Sequence, residues 1–196
     1  MARRRTEMVE ETRAKLIAAA RRAFAAKGYA GASMDDLTAE AGLTRGALYH
    51  NFGDKKGLLW AVIEEIDGEM VERMAKARSE AKSLWDGLMD EVSAYVEMSL
   101  EPEIQRIVHL DGPAVLGDPS QWPTQMACLR TTQETVEALI AEGTVAPVDA
   151  EAVARLLNGA ALNAALWIAA SDDPPAVTAR ASEAVRRLAS GLLARP

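Results

Sequence analysis

Apolar residues recur at spacings of three and four along nearly the whole chain, and no useful length alternates apolar with polar, so the pattern predicts helices throughout. A first helix over 9–27 gathers Leu16, Ile17, Ala20 and Phe24 on one face. In the next, Met34, Leu37 and Ala41 follow Ser33, which is placed to cap it with Asp36 as the capping-box partner. Gly42 supplies a left-handed residue to end that helix, and Thr44 is placed to cap another with Ala47, Leu48 and Phe52 on its buried side. A long fourth helix opens at Asp54 and continues through Leu59, Val62, Ile63, Ile66, Met70 and Met74. Trp85, Leu88, Met89, Val92, Val96 and Leu100 mark a helix ended near Pro102, and Ile104, Ile107 and Val108 a shorter one.

The interval HLDGPAVLGDPSQWP reads as a loop because of its glycines and prolines, and Trp122, Pro123 and Met126 lead into a helix reaching about Glu142. Residues 156–170, LLNGAALNAALWIAA, are apolar on every side except at Asn158 and Asn163, so both faces have to be covered. A membrane span would need ~20 such residues, and this run falls short of that. Its small residues Gly159, Ala160, Ala161, Ala164 and Ala165 permit close helix approach. The last helix repeats Val177, Ala181, Val185, Leu188 and Leu192, with arginines on its other face.

Charge changes this picture of a plain helical protein. The net charge of −7 divides unevenly: residues 1–56 hold 11 Lys and Arg against 7 Asp and Glu, and the remainder holds 11 against 22. A basic end of +4 on an acidic body of −11 suits contact with a polyanion at one end only. Arg3, Arg4 and Arg5 either form an arm that reaches phosphates or the minor groove, or are a solvated terminus. No apolar stretch follows this basic start, so no secretory signal is expected and a cytoplasmic protein is. With 196 residues the chain can bury a core without disulfides, and Cys128 has no second cysteine to pair with.

Two short helices across a glycine turn, followed by a third that opens on Lys55 and Lys56, form a helix-turn-helix. In that geometry the first residues of the second helix face base edges, which makes Thr44, Arg45 and Gly46 the candidate readers. Gly46 would let the backbone come close, and Ser33 joins the set from the start of the preceding helix. The fourth helix presents free amides and a positive dipole end, and Lys55 adds a charge, so a phosphate is expected there.

At these residues the chain resembles the TetR family of transcriptional repressors. The likeness starts at Thr12, Ile17, Ala20, Phe24, Gly28 and Tyr29 and runs to Leu59 through GY, SMDDL, AGLTRGALYHNF and DKKGLL at fixed spacing, about a quarter of the chain. Thr38 stands where alanine is common in the family, and Asn51 where histidine or tyrosine is frequent. The resemblance implies an all-α fold of about nine helices. A three-helix DNA-binding head, 1–56, would be joined by the long fourth helix to a ligand-binding and dimerisation body, 57–196. It also implies that Tyr49 and His50 contact the DNA backbone, whereas packing alone would allow Tyr49 to be half-buried. The last two helices would pair across a two-fold axis through Leu156, Ala160, Ala161, Ala164, Ile168, Val185, Leu188 and Leu192. Trp85, Met89, Tyr95, Met98, His109, Trp122, Met126 and Trp167 supply deformable apolar surface where the family keeps its pocket, although each taken singly also fits a core.

Three function classes compete. An enzyme is disfavoured: G-x-S-x-G, P-loop, G-x-G-x-x-G and H-E-x-x-H are all missing, and His50 and His109 lie 59 positions apart. His109 with Asp111 makes a poor metal pair, since a site needs three or four ligands. A constitutive architectural DNA binder would leave the acidic body without a task. The expected protein is therefore a homodimeric repressor of a palindromic double-stranded operator, released by a small hydrophobic effector, with no cofactor, metal or membrane partner.

Overall fold

The computed structural model describes residues 2–194, with side chains from residue 7 onward; the side chains of Arg3, Arg4 and Arg5 lie outside the described residues. Helix α1 spans Ala2–Gly31, α2 Met34–Ala41 and α3 Arg45–Phe52. Each start and stop has a local cause. At Gly28 the backbone turns to φ 71°, breaking α1 just after the expected end at Lys27. Ser33 Oγ accepts from the Asp36 N–H at 3.0 Å, Gly42 ends α2 at φ 66°, and Thr44 Oγ1 accepts from the Ala47 N–H at 3.2 Å. Asp54 Oδ1 accepts from the Gly57 N–H at 2.7 Å and opens α4, Lys55–Glu80. Caps of this kind contribute about 1 kcal/mol each. The Thr38 hydroxyl, buried in α2, is satisfied by the Met34 carbonyl at 3.0 Å.

The body continues with α5, Leu84–Met98, packed along α4, and then departs from expectation. The interval read as a loop from His109 is helical as far as Leu116. After α6, Pro102–Ile104, a π-helical turn covers Gln105–Asp111 and passes into α7, Gly112–Leu116. Pro113 sits in the first turn of α7, where its missing N–H is not needed. Gly112 is there for packing rather than for a turn: a Cβ would meet Trp122 Cη2 at 2.8 Å and Ile63 Cδ1 at 3.1 Å. The chain first leaves the helix at Gly117, φ 92°.

Helices α8, Pro123–Ala141, α9, Ala150–Ala169, and α10, Pro174–Ser190, complete the body. Among the described residues there is no strand, only an isolated bridge between Val145 and Leu193. One apolar cluster runs without interruption from Leu16, Phe24, Leu37 and Leu48 in the head, along α4, to Tyr95, Ile107 and Trp122 in the body.

Helix α9 is long and apolar enough by length and composition to cross a membrane, but one side of it is core. Its all-round apolar sequence concealed which side that is. Ala161, Ala164 and Ile168, expected at a dimer interface, are buried within this chain, and Val185 of α10 is buried with them. Ala164 packs with Val96, Ile168, Val177 and Ala181. Leu156 and Leu188 are the outward members, 75 % and 72 % exposed, while Ala160 and Leu192 are half-buried. The reason is register. The outward stripe of α9 is Leu156, Gly159, Asn163 and Trp167, displaced around the helix from Ala161 and Ala164.

One buried carboxyl sits in the middle of α4. Asp67 is 4 % exposed, and burial pushes it up to about 6 from 3.8, with a Thr124 hydrogen bond opposing the shift and Glu64 adding to it. A raised folded pKa means that the folded chain holds this proton more tightly than the unfolded one. Its contribution is therefore fully present below about pH 4 and lost as pH rises through about 6. Asp67→Asn, which keeps the shape without the charge, is expected to stabilise the protein by about 2–3 kcal/mol near neutral pH. Urea unfolding at several pH values checks this: the gain should shrink below about 1 kcal/mol towards pH 4.

Candidate functional site

The surface around the start of α3 is built from helix ends. Ser33 and Thr44 are spent as caps, so their hydroxyls face the first turns of α2 and α3 while the residues themselves stay exposed. Arg45, the first residue of α3, clasps both carboxylate oxygens of Asp35 on α2 through Nε and Nη2. Asp35 was not singled out in the sequence; its ten-residue separation from Arg45 closes only when the glycine turn folds α2 onto α3. A Cβ on Gly46 would meet only Thr44 Oγ1, at 3.7 Å, so nothing inside the protein requires glycine there. Tyr49 is 52 % exposed and His50 is exposed beside it. Asn51 is turned inward: its Nδ2 donates to the Ala47 carbonyl at 2.7 Å, and its own carbonyl accepts from Arg13 Nη1 at 3.3 Å.

Lys55 is less free than the sequence implied. Its ammonium stands 4.3 Å from the centre of the Tyr29 ring, and burial lowers its pKa while the Asp111 carboxylate opposes that. Asp111 itself accepts from the Tyr29 N–H at 2.7 Å and from Arg106 Nε at 3.3 Å. It therefore turns away from His109 and ties the end of α1 to the π-helical turn. Arg106 lies across Gly28, where any side chain would collide with its guanidinium. On another face Arg21 of α1 bonds Glu69 at 2.6 Å, Glu65 at 3.1 Å and Glu103 at 2.8 Å, joining α1 to α4 and α6. Head and body are held together by this polar set around a shared apolar core.

Between α4, α5, α8 and α9 lies a small cavity of about 40 Å³ that opens partly to solvent. Met74, Leu88, Val92 and Ala161 line it with apolar surface, and Glu91, Tyr95, Gln125, Cys128, Thr132 and Asn158 add polar groups. Of the aromatic and methionine residues singled out in the sequence, Tyr95 faces this space. Met89, Met98 and Trp122 are buried in core clusters, Trp85 packs against one of them, and Met126 and Trp167 are 47 % and 44 % exposed. Trp167 lies under the Arg180 guanidinium at 5.2 Å. His109 is buried behind Tyr95, its ring edge-on to the phenol at 6.1 Å and its Nε2 3.2 Å from Ser99 Oγ. Burial lowers its pKa to about 4, so it is neutral. The polar lining carried one visible signal, Asn158 inside an apolar run; it faces α8 and accepts from Thr132 Oγ1 at 3.0 Å.

Residues 16–62 match the family described as "Bacterial regulatory proteins, tetR family", and residues 85–192 match "Tetracyclin repressor-like, C-terminal domain". A TetR-family transcriptional regulator from Pectobacterium atrosepticum has a solved structure with TM-score 0.89 and 50 % identity, over 97 % of this chain and 98 % of that one. The HTH-type transcriptional repressor AcnR of Corynebacterium glutamicum is 32 % identical over 100 residues, 51 % of this chain and 52 % of AcnR. The HTH-type transcriptional regulator TtgR of Pseudomonas putida is 40 % identical over 77 residues, 39 % of this chain and 36 % of TtgR. The chain thus spans about half the length or less of these two curated relatives. With a helix-turn-helix head, an all-helical body and both halves matched, this chain belongs to the TetR family of DNA-binding transcriptional regulators.

Proposed function

We propose that the protein is a cytoplasmic homodimeric repressor that holds a palindromic operator through residues 1–56 and releases it when a small hydrophobic effector enters the body, 57–196. The observation that carries this reading is the continuity of α4. One helix, Lys55–Glu80, begins beside the base-reading surface and places Met74 in the cavity wall. A ligand that displaced Met74 would turn the same rigid rod that supports the head, and so alter the spacing of two heads on successive major grooves. A thermal-shift screen of apolar compounds followed by operator release in a gel-shift assay tests it directly. If the compounds that stabilise the fold all leave the operator bound, release by an effector is the wrong mechanism.

Among the DNA-facing residues proposed here, Arg45 reads a base edge from a position that Asp35 preorganises. Arg45→Ala should lose about 1–3 kcal/mol on the operator and flatten discrimination at one symmetric pair of base positions. Asp35→Asn should keep general DNA affinity while relaxing the same positions; an equal loss on random DNA for Arg45→Ala would return this residue to the phosphate contacts. Gly46 makes the opposite kind of case. Gly46→Ala should raise helix stability by up to about 1 kcal/mol, since the site has room for the methyl, and yet weaken operator binding, because the backbone can no longer approach the groove. Calorimetry and operator titration on one preparation separate the two effects.

For the dimer, support comes from the outward apolar stripe of Leu156, Trp167 and Leu188 on α9 and α10. Leu188→Glu should yield folded monomers by sedimentation, with operator affinity falling as dimers are lost. Ala164→Glu should instead unfold the protomer, because it buries a charge against Val96 and Ile168. A dimeric Leu188→Glu protein would move the interface off this face.

A further inference from the structure

We propose that the cavity takes an uncharged, mainly apolar molecule with a carbonyl-type oxygen that accepts a hydrogen bond from Tyr95, and that it rejects carboxylates. This rests on the effector reading above and adds the chemistry of the ligand. The starting point is the Tyr95 side chain, which is 8 % exposed and lines the cavity; its hydroxyl oxygen is enclosed and lacks a hydrogen-bond partner of full geometry. Gln125 lies beside it and lowers the phenol's pKa as a hydrogen-bonding neighbour does, although the contact misses full hydrogen-bond geometry, so a ligand acceptor would compete with Gln125 for this proton. Phenylalanine would fill the same volume with no orphaned group, so the hydroxyl lowers the stability of the ligand-free protein. Burial, with Asp67 nearby, holds the phenol well above its usual pKa, so it keeps its proton and needs an acceptor.

The rest of the lining points the same way. Asn158 Oδ1 is already engaged by Thr132 Oγ1, which leaves its amide N–H groups as donors. The Cys128 thiol is pushed up to about 11 by burial and by Glu91 and Asp67, and stays neutral. Donors come from Tyr95, Asn158 and Cys128, and acceptors from Gln125 and Glu91. For a charged ligand there is no complement. Among the described residues no Lys, Arg or His lines the space, and Glu91, the one charged lining residue among them, already holds Arg78 at 3.3 Å through one of its oxygens. A carboxylate would meet Glu91 with Asp67 behind Tyr95, and an ammonium would have to displace Arg78 from its partner.

The test compares full-length wild type with Tyr95→Phe, using 2-heptanone, 2-nonanone and 4-phenyl-2-butanone beside octanoate and octylamine, read by thermal shift. At least one ketone should stabilise the wild type saturably, and Tyr95→Phe should bind it roughly tenfold more weakly, the effect of one hydrogen bond. Without ligand, Tyr95→Phe should melt at or above the wild-type temperature. Octanoate and octylamine should bind the wild type at least about tenfold more weakly than the best ketone. The proposal is overturned if no ketone stabilises the protein, if ketone affinity is the same in both proteins, if ligand-free Tyr95→Phe melts clearly lower, or if either charged probe binds as tightly. Operator release is measured separately. Ketone binding with the operator still held would leave the cavity assignment standing and defeat the release mechanism alone.

Discussion

Helix α4 has to satisfy two surroundings at once, and the remaining architecture follows from how it does so. Its first turns carry Leu58, Leu59 and Val62 into the apolar cluster that also holds Leu16, Phe24, Leu37 and Leu48. Over the next three turns Ile66, Met70 and Met74 belong to the same cluster from the body side. A helix resists bending far more than a loop does, and close-packed interfaces shift between discrete arrangements rather than deforming smoothly. Under the release mechanism proposed above, a displacement at Met74 would be transmitted to the head rather than absorbed. The two halves share one core.

The second link is polar and sits where α1 meets the π-helical turn. Asp111 receives the Tyr29 N–H, Arg106 packs over Gly28, and Lys55 rests on the Tyr29 ring. Individually such half-exposed contacts are weak. Their value here lies in geometry: they connect the wall behind the cavity, through His109 and Tyr95, to Lys55 at the N-terminal end of α4. A π-helical turn is a place where helix register can change with little rearrangement elsewhere, and π-turns are frequent at functional sites. Arg21, bonded to Glu65, Glu69 and Glu103, fastens the other side of the same junction.

The interior is less apolar than a purely structural core needs to be. Asp67, Glu91, Tyr95, His109 and Thr132 all stand in or around the cavity, and burial shifts the pKa of Asp67, Glu91, Tyr95 and His109 towards the neutral form. Polar groups in such a place lower stability unless they are partnered. Among them Ser99 satisfies His109, and Asn158 satisfies Thr132, while the Tyr95 hydroxyl is left over. An adaptable apolar chamber with a few aimed donors is how a small-molecule site obtains both affinity and orientation.

The head was legible from sequence because its signals are local. Ser33, Gly42, Thr44 and Asp54 act on residues two to four positions away, so caps, turn and helix order could be read directly, and the family motif covers the same stretch. Periodicity also placed α4 and α5. It failed where residue type has two meanings. Gly112 and Pro113 read as loop, but one is small because Trp122 and Ile63 press on it, and the other occupies a first helical turn. It failed again on α9, where apolar residues on every side, broken only by Asn158 and Asn163 over 156–170, leave little phase to read; only packing against α5, α8 and α10 decided that Ala164 faces in and Leu156 faces out. The salt bridge from Arg45 to Asp35, the clasp of Asp111 on Tyr29 and the polar lining from Glu91 to Asn158 join residues that are distant in sequence. Chemistry carried by neighbours along the chain was determined by the sequence itself, and chemistry that depends on which helix faces cross was decided only by tertiary structure, because facing is set by packing and not by composition.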